Sequence, residues 1–318
     1  MKTCNKTAIY EAQKDADDIM LSVVLLTYNH EKYIRTCLES IISQKTTFKF
    51  ELIVGDDAST DQTAKVILEY AALYPDIVIP VIRKKNIGAV ANLVELLKIA
   101  RGKYIAGCEG DDYWTNSNKL EFQFRFLEEK EEYIACSHDI EIVNEDGTLA
   151  DKQYLTWISP ARDYSLKDYK GILLPGHPVA LVFRNIFKEE EDPGVLLDFH
   201  TLIADRSLAV MLAVRGRIYR LDKIMAAYRI HVGKGKNMTN NIYGEFDSCL
   251  VDYTMNDRIT KYLSKVSGKN IDFVLYRWKI VIKVGIKTVI YFNKKNLSTY
   301  IKLLKLHFRW IKSKIIRV

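Results

Sequence analysis

The chain has 318 residues, enough for one large domain or two smaller ones, and 48% hydrophobic with 27% charged residues is the composition of a soluble globular protein. The polar residues 1–20 lack the apolar core of a signal peptide, and no stretch reaches the roughly 18 apolar residues of a membrane-spanning helix, so neither is predicted. Five scattered cysteines without metal-ligand spacing predict reduced thiols in the cytoplasm, and the net charge of +7 is divided unevenly along the chain.

Residues 21–110 alternate between short apolar runs and segments with helical spacing. After an N-terminal extension over residues 1–20, we predict strands at 21–26, 50–54, 77–82 and 104–107, with helices at 31–43, 61–74 and 89–100. Strands that alternate with helices at this spacing predict a parallel sheet with crossover helices. Because ligands bind beyond the carboxyl ends of such strands, we expect the polar pairs that follow three of them to share one site. These pairs are Tyr28-Asn29, Asp56-Asp57 and Asp111-Asp112.

Three carboxylates stand within four residues directly after the fourth strand: Glu109, Asp111 and Asp112. Like charges packed together raise each other's pKa values, and a divalent cation removes that cost. Hard cations such as Mg²⁺ or Mn²⁺ prefer carboxylate and phosphate oxygens. The segment therefore predicts a metal that bridges the protein to a phosphorylated substrate. The alternative is an acidic surface turn in which Tyr113 and Trp114 are packing residues.

The middle of the chain, residues 115 to 240, is less regular. We predict a helix at 120–129, a strand at 133–143, a loop at 173–179 that enters a strand at 180–183, a helix at 202–214 and a strand at 217–221. From about residue 243 the sequence reads as helical.

The C-terminal region is strongly basic. Residues 265–318 contain 14 Lys and Arg against one Asp, a net charge of +13, so the remaining chain has a net charge of −6. In segments 274–290 and 300–316, apolar side chains could enter a bilayer interface while lysines reach anionic headgroups. This pattern predicts a protein that associates peripherally with the inner face of the cell membrane; a basic helical pair packed on the catalytic body is the alternative. The apolar candidates are Trp278, Leu304, Phe308 and Trp310.

Several motifs, in order, resemble those of the family 2 glycosyltransferases, which have the GT-A fold. They are SVVLLTYN at 22–29, VGDDASTD at 54–61, NIG at 86–88 with Asn92, ARGKYI at 100–105, EGDD at 109–112 where the family has its DXD motif, ADRSL at 204–208, GRI at 216–218 and AYRIH at 227–231. Two departures are Ala58, where glycine is commoner, and Glu109 in place of the first Asp. The resemblance implies an α/β fold whose mostly parallel sheet is flanked by helices. It also implies a catalytic domain over 21–242, with a nucleotide-binding half at 21–115 and an acceptor half at 116–242, followed by a helical basic region at 243–318.

The resemblance further implies an inverting transfer of a sugar from a nucleotide-diphosphate sugar, UDP favoured, to a hydroxyl of a glycan or lipid-linked glycan in surface polysaccharide assembly. Asp57 would accept a hydrogen bond from the base, while Arg229 would hold the diphosphate. Asp205 would be the general base, because the acceptor hydroxyl must lose a proton as it attacks. The implied metal is Mn²⁺ or Mg²⁺, with Asp111, Asp112 and His231 as its ligands. The other donor residues are Thr27, Tyr28, Asn29, Asp56, Asn86, Gly88, Asn92, Glu109 and Gly110, and the acceptor residues are Trp114 and His177.

Structural interpretations remain open for several of these residues. Asp56 or Asp61 would cap the following helix, and Asp205 would be a carboxylate favoured by the positive end of a helix dipole. His231 would be a satisfied structural histidine, and His138 is expected to pack beneath the site. Residues 233–236, a Gly-Lys-Gly-Lys loop, are expected to close over the donor.

Three other functions compete with this interpretation. A sugar-phosphate nucleotidyltransferase would show a glycine-rich, basic phosphate loop after the first strand, where this chain has residues 27–30 (TYNH). A non-enzymatic nucleic-acid- or membrane-binding protein would use the basic tail but leaves the carboxylates unexplained, and the acidic body would repel phosphate, so no nucleic acid partner is expected. A dinucleotide oxidoreductase is disfavoured because no GxGxxG follows the first strand.

Overall fold

The computed structural model describes residues 19–151, 161–231 and 238–315, without the side chains of 238–246. Most of the predicted N-terminal extension and the predicted loop at 233–236 lie outside this part of the chain. The chain forms two compact units: Met1–Tyr169 with Leu173–Ile230, and Lys170–Ile172 with His231–Val318. The predicted domain boundary at residue 242 stays a prediction.

The first unit is built on a nine-stranded sheet with helices around it. Its strands follow the order β3-β2-β1-β4-β8-β6-β9-β5, with β7 paired to β9. The strands are β1 (Ile19–Thr27), β2 (Lys49–Asp56), β3 (Val78–Ile82), β4 (Tyr104–Glu109), β5 (Tyr113–Trp114), β6 (Tyr133–Val143), β7 (Arg162–Tyr164), β8 (Val182–Arg184) and β9 (Arg217–Arg229). The helices are α1 (Ile34–Ile42), α2 (Thr63–Leu73), α3 (Ala89–Ile99), α4 (Lys119–Glu129), α5 (Leu166–Tyr169), α6 (Val195–Phe199) and α7 (Asp205–Ala213), with a 3-10 turn at Pro178–Ala180.

The first four strands form the parallel half of the sheet, which confirms the prediction for residues 21–110. Apolar side chains of β1 and β2 are buried on both faces, as expected of strands covered by helices on each side. In α1 the side chains of Ile34, Leu38 and Ile41 recur at helical spacing and are fully buried. These strands and helices therefore form the core beneath the site.

The sheet is mixed, although most of its paired residues lie in parallel ladders, as predicted. Strand β8 lies antiparallel between β4 and β6, and both β5 and β7 pair antiparallel with β9. Strands β6 and β9 form a further parallel pair. The predicted strand at 180–183 begins two residues later than expected, because the 3-10 turn occupies Pro178–Ala180.

The register of the central strands brings their carboxyl ends into one row. Thr27 of β1 is opposite Asp56 of β2, and Leu26 is opposite Glu109 of β4. The polar turns that follow these three strands therefore begin side by side, as the sequence predicts.

The second unit is helical, as predicted for the C-terminal region. It contains α8 (Met238–Ser267), α9 (Val274–Ile290) and α10 (Lys294–Ile315). Its apolar core includes Tyr253, Ile280, Val284 and Leu303. In the described residues of both units, each helix is too short or too polar to span a membrane.

Candidate active site

The site begins where the backbone of each central strand end is tied to its neighbour. The N–H of Asp57 donates to the carbonyl of Thr27 at 3.0 Å, and the N–H of Gly110 donates to the carbonyl of Leu26 at 2.8 Å. Gly110 has no room for a side chain, since an added Cβ would lie 2.6 Å from Thr27 Oγ1 and 2.8 Å from His30 Nδ1. The acidic turn can therefore pass close over the end of β1 only because residue 110 is glycine.

The carboxylates of the acidic turn, residues 109–112, point in different directions. Asp112 is 1% exposed, and its Oδ1 accepts the backbone N–H of Arg229 at 2.9 Å. Within the described part of the chain its Oδ2 has no hydrogen-bond partner. Asp111 is partly exposed and lies 3.7 Å from His30 Nε2, while Glu109 is exposed. Glu109 and Asp111 thus face the open side of the turn, and Asp112 faces inward.

Crowding raises the pKa values of two of these carboxyl groups. The pKa of Glu109 rises to about 7, first because surrounding protein displaces its hydration and then because Asp111 and Asp205 are negatively charged. Burial, followed by the charges of Asp111 and Glu109, raises the pKa of Asp112 well above its usual value.

This donor set fits a hard divalent cation. Carboxylates that repel one another and a buried carboxylate oxygen without a partner are both stabilised by a bound cation. No group of three or more His, Cys, Asp or Glu side chains is arranged as a finished metal site in residues 19–151, 161–231 and 238–315. Glu109 and Asp111 face the open side of the turn and could hold such a cation, whereas Asp112 faces inward and its predicted metal role stays a prediction. His231 belongs to the second unit, and its metal role stays a prediction.

Arg229 closes the acidic turn from behind. Its Nε donates to the carbonyl of Asp111 at 2.9 Å, and its Nη1 donates to the carbonyls of Asn144 and Glu145 at 3.1 and 2.8 Å. The guanidinium lies 4.7 Å from the ring centre of Tyr33, and Arg229 as a whole is 6% exposed. The sequence predicts that Arg229 holds the diphosphate. In the structure, its side chain instead donates to backbone carbonyls behind the turn.

The carboxylate predicted to bind the base already has protein partners. Asp57 is buried, its Oδ1 accepts the N–H of Ile87 at 2.8 Å, and its Oδ2 accepts the N–H of Gly88 at 2.9 Å. Asn86 Oδ1 also accepts the N–H of Gly88, whose φ of +91° suits glycine. Each oxygen of Asp57 keeps a second lone pair for a ligand.

Two further predicted donor residues hold the same turns in place. Asn92 is 1% exposed, and its amide donates to the carbonyl of Gly55 at 2.8 Å while Oδ1 accepts from Arg83 at 2.9 Å. Asp56 is fully buried and accepts from the N–H and the hydroxyl of Ser59. Burial raises the pKa of Asp56 even though the Ser59 hydrogen bonds favour its ionised form. Both side chains shape the turn rather than face solvent.

The turns after β1 and β2 are joined through Asn29. Asn29 has a φ of +57°, donates its N–H to Ser59 Oγ at 2.9 Å and accepts the N–H of Thr60 at 2.8 Å. Tyr28 beside it is 44% exposed, so its ring is available to a ligand. Asp61, considered above as a helix cap, accepts the N–H of Thr63 at the start of α2.

Asp205 and His177, from distant parts of the chain, interact electrostatically with the acidic turn. Asp205 is the first residue of α7, its Oδ1 accepts the N–H of Arg206 at 2.7 Å, and its charge acts on Glu109. Burial lowers the pKa of His177 to about 4, although the charge of Asp111 opposes this shift. The imidazole is therefore neutral near pH 7, and its ring centre lies 4.3 Å from that of Tyr228.

Two residues near the acidic turn belong to the core instead of the surface. Trp114, predicted to contact the acceptor, is 4% exposed and lies under Lys119, whose Nζ is 4.2 Å from its ring centre. His138 is 1% exposed, as expected of a residue beneath the site. Burial, followed by the charges of Lys119 and Arg220, lowers the pKa of His138 well below its usual value.

Sequence reasoning missed the groups that support the turn. His30 is one of these groups, and it lies 3.7 Å from Asp111. Its place just after the end of β1 is a sequence signal that could have identified it. Tyr33 and Tyr113, which flank the Arg229 guanidinium, and the carbonyls of residues 144–145 carry no local signal, since their role depends on tertiary contacts.

The amino-acid sequence is similar to that of known proteins. The family model described as "Glycosyl transferase family 2" matches residues 22–190. An uncharacterized protein of Mycobacterium tuberculosis is 38% identical over 216 residues, which are 66% of this chain and 59% of that protein. The chain thus spans less than two thirds of that relative. An uncharacterized glycosyltransferase of Haemophilus influenzae is 25% identical over 282 residues, 87% of this chain and 82% of that protein.

A solved structure has the same fold. The crystal structure of a TarS fragment of S. aureus in complex with UDP-GlcNAc aligns with a TM-score of 0.56 and 18% sequence identity. The alignment covers 90% of this chain and 80% of that one. At this identity the likeness concerns the fold alone.

Proposed function

The chain belongs to glycosyl transferase family 2 and has the GT-A fold, and we propose that it transfers a sugar from a UDP-sugar to an acceptor hydroxyl with inversion. The observation that carries this proposal is that the charge of Asp205, the first residue of α7, contributes to the raised pKa of Glu109 at the end of β4. This supports a single site that combines a candidate base for the acceptor with a candidate site for the diphosphate, although the two are far apart in sequence. Fold alone does not imply activity, so the proposal depends on this site.

Asp205 would take the proton of the acceptor hydroxyl as that oxygen attacks the anomeric carbon. Its position at the first residue of α7 and its hydrogen bond from the N–H of Arg206 limit the orientations of the carboxylate. Because a single displacement inverts the anomeric centre, no covalent enzyme nucleophile is needed. His177, neutral near pH 7, can donate or accept a hydrogen bond with the acceptor.

Asp111 and Glu109 would hold a Mn²⁺ or Mg²⁺ ion, with Asp112 bracing the turn through its bond to the N–H of Arg229. When bound, the cation neutralises the negative charge that develops on the diphosphate leaving group. The raised pKa of Glu109, to about 7, supports this assignment, because ionised Glu109 and Asp111 repel each other without a counter-charge.

The donor side would be formed by the turns after β1 and β2. Tyr28 offers an exposed ring for stacking, and Asp57 keeps one lone pair on each oxygen for the N–H of a uracil base. UDP is favoured over other nucleotides because uracil carries such a ring N–H, and the TarS structure of the same fold holds UDP-GlcNAc.

The acceptor is proposed to be a glycan or lipid-linked glycan in surface polysaccharide assembly. Action on a lipid-linked acceptor suits a cytoplasmic protein held at the inner face of the membrane through residues 265–318, whose net charge is +13. A nucleotidyltransferase remains disfavoured, because the turn after β1 offers Asn29 and His30 in place of a glycine-rich, basic phosphate loop.

Thermal-shift titration of the full chain with UDP-, GDP- and dTDP-sugars, each with and without Mn²⁺, tests the proposal. We expect stabilisation by a UDP-sugar that depends on Mn²⁺, loss of that dependence in Asp111→Asn, and retained donor binding without transfer in Asp205→Asn. Stabilisation by none of the nucleotide sugars would contradict the proposed reaction.

A further inference from the structure

Helix α9 of the second unit has an apolar stripe on each of two faces. One stripe is buried in the core of the unit and includes Ile280, Val281 and Val284. The other is exposed to solvent: Leu275 is 87% exposed, and Ile282 and Ile286 are each more than half exposed. A surface helix needs only the first stripe to pack on its own unit, so the second stripe has no partner among the described residues of that unit. The exposed stripe comprises Leu275, Trp278, Ile282, Ile286, Val289 and Ile290.

Lysines run beside the exposed stripe. Lys279, Lys283 and Lys287 recur every four residues and therefore lie along one side of the helix. Neither α9 nor α10 contains an Asp or Glu. The three lysines line the same shallow surface depression as the exposed apolar side chains, so this face is both apolar and strongly cationic.

These two properties together select the occupant. A second copy of the chain would cover the apolar stripe but would bring two rows of lysines together, which is unfavourable. A nucleic acid would satisfy the lysines but leave the apolar side chains in water. An anionic lipid surface satisfies both, because apolar side chains enter the acyl boundary while lysine ammonium groups reach the headgroups.

We propose that the outward face of α9 docks on a bilayer that contains anionic phospholipids, with the helix lying in the plane of the interface. This inference deepens the proposed membrane location and rests on it, but it does not depend on the transfer reaction. It also narrows the set of inserting residues. Trp278 lies on the exposed stripe, whereas Trp310 donates its indole N–H to Asp272 at 2.8 Å and Leu304 packs against the core.

The test is co-sedimentation of the full chain with vesicles of phosphatidylcholine, alone or mixed with an equal amount of phosphatidylglycerol. We expect binding to the mixed vesicles only. Lys279→Glu with Lys283→Glu should weaken binding at least about tenfold, since each basic residue near an anionic surface contributes roughly fivefold. Ile282→Ser with Ile286→Ser should weaken it about tenfold through lost apolar contact with the acyl chains.

Matched controls make equivalent changes at exposed residues of the other unit. Leu68→Ser with Leu73→Ser alters two similarly exposed leucines, and Lys65→Glu with Lys188→Glu alters two exposed lysines, and both pairs should leave vesicle binding unchanged. Equal effects of test and control pairs, equal binding to both vesicle types, or no binding at all would overturn the proposal. So would a dimer that Ile282→Ser with Ile286→Ser dissociates.

UDP-sugar binding in the absence of vesicles separates this inference from the proposed function. If the protein binds vesicles but no nucleotide sugar, the docking face is supported and the proposed reaction is contradicted. If it binds a UDP-sugar but no vesicles, the proposed reaction is supported and the docking face is contradicted.

Discussion

Replacing Arg229 by Met tests whether its side chain holds the acidic turn or a ligand. The substitution keeps the length of the side chain and removes a guanidinium that donates to three carbonyls at 2.8 to 3.1 Å. Each hydrogen bond from a charged donor contributes about 1.5–3 kcal/mol, but losing the charge also removes its cost of burial. We therefore expect a net loss of about 3 kcal/mol in the free energy of unfolding. The backbone N–H that Asp112 accepts is retained in the variant.

Urea unfolding of the ligand-free protein measures this loss, and titration with a UDP-sugar and Mn²⁺ measures its effect on the site. We expect metal-dependent donor affinity to fall about 10- to 100-fold, because the turn that carries Glu109 and Asp111 loosens. Arg229→Lys should be nearly as damaging, since an ammonium cannot reproduce the planar fork.

Arg217→Met is the matched control on the same strand. Its partner Asp163 lies 2.7 Å away in a pair that is about half exposed, so we expect little change in the free energy of unfolding. A different result would refute the idea that Arg229 holds the acidic turn and would favour direct contact with the diphosphate. In that case Arg229→Met would keep its ligand-free stability but lose donor affinity, and Arg229→Lys would keep donor affinity.

Three further changes test the site and its support. Asp205→Asn should retain UDP-sugar binding and lower the transfer rate about 10²- to 10⁴-fold, as measured by UDP release with an acceptor present; an unchanged rate would exclude it as the base. Gly110→Ala should cost about 1–3 kcal/mol in urea unfolding and weaken metal-dependent donor binding, because its Cβ would meet Thr27 Oγ1 at 2.6 Å; a protein of unchanged stability would show that the turn can move. Burial lowers the pKa of Lys119 from 10.5 to about 7, so the folded protein bears the cost of a buried charge fully below pH 7, and this cost fades as the pH rises toward that of free lysine. Lys119→Met should therefore be more stable by as much as about 5 kcal/mol near pH 6 and by less than about 1 kcal/mol near pH 10, and a gap independent of pH would contradict the shift.

Periodicity predicted the elements that bury a long apolar face. The four parallel strands were predicted from short apolar runs, and the helices between them from apolar residues that recur at helical spacing. The structure adds β5 and β7, which are two or three residues long and define no period. Both pair with β9, so their place in the sheet had no local signal, whereas β8 was predicted at 180–183 and only its bounds differ.

The site was predicted as a set of residues more reliably than as a set of roles. The charges of Asp111 and Asp205 both raise the pKa of Glu109, as expected if strand ends and helix starts meet at the edge of the sheet, while the roles of these residues stay predictions. Trp114 has the same sequence context and lies in the core, since β5 pairs with β9 and turns the indole inward. An aromatic residue that follows a metal motif can face either way, and only the pairing of the next strand decides which.

The same ambiguity applies to Arg229 and defines what the downstream motif contributes. A guanidinium suits a diphosphate, but it equally suits carbonyls that converge from two turns. Strand β9 runs parallel to β6, with Arg229 opposite Val143, so its side chain begins beside the turn at Asn144 and Glu145. Its backbone N–H reaches Asp112 from the same position. Three carboxylates that repel one another destabilise the turn, and the end of β9 supplies donors that stabilise it, so the acidic motif and the distant arginine form one structural element.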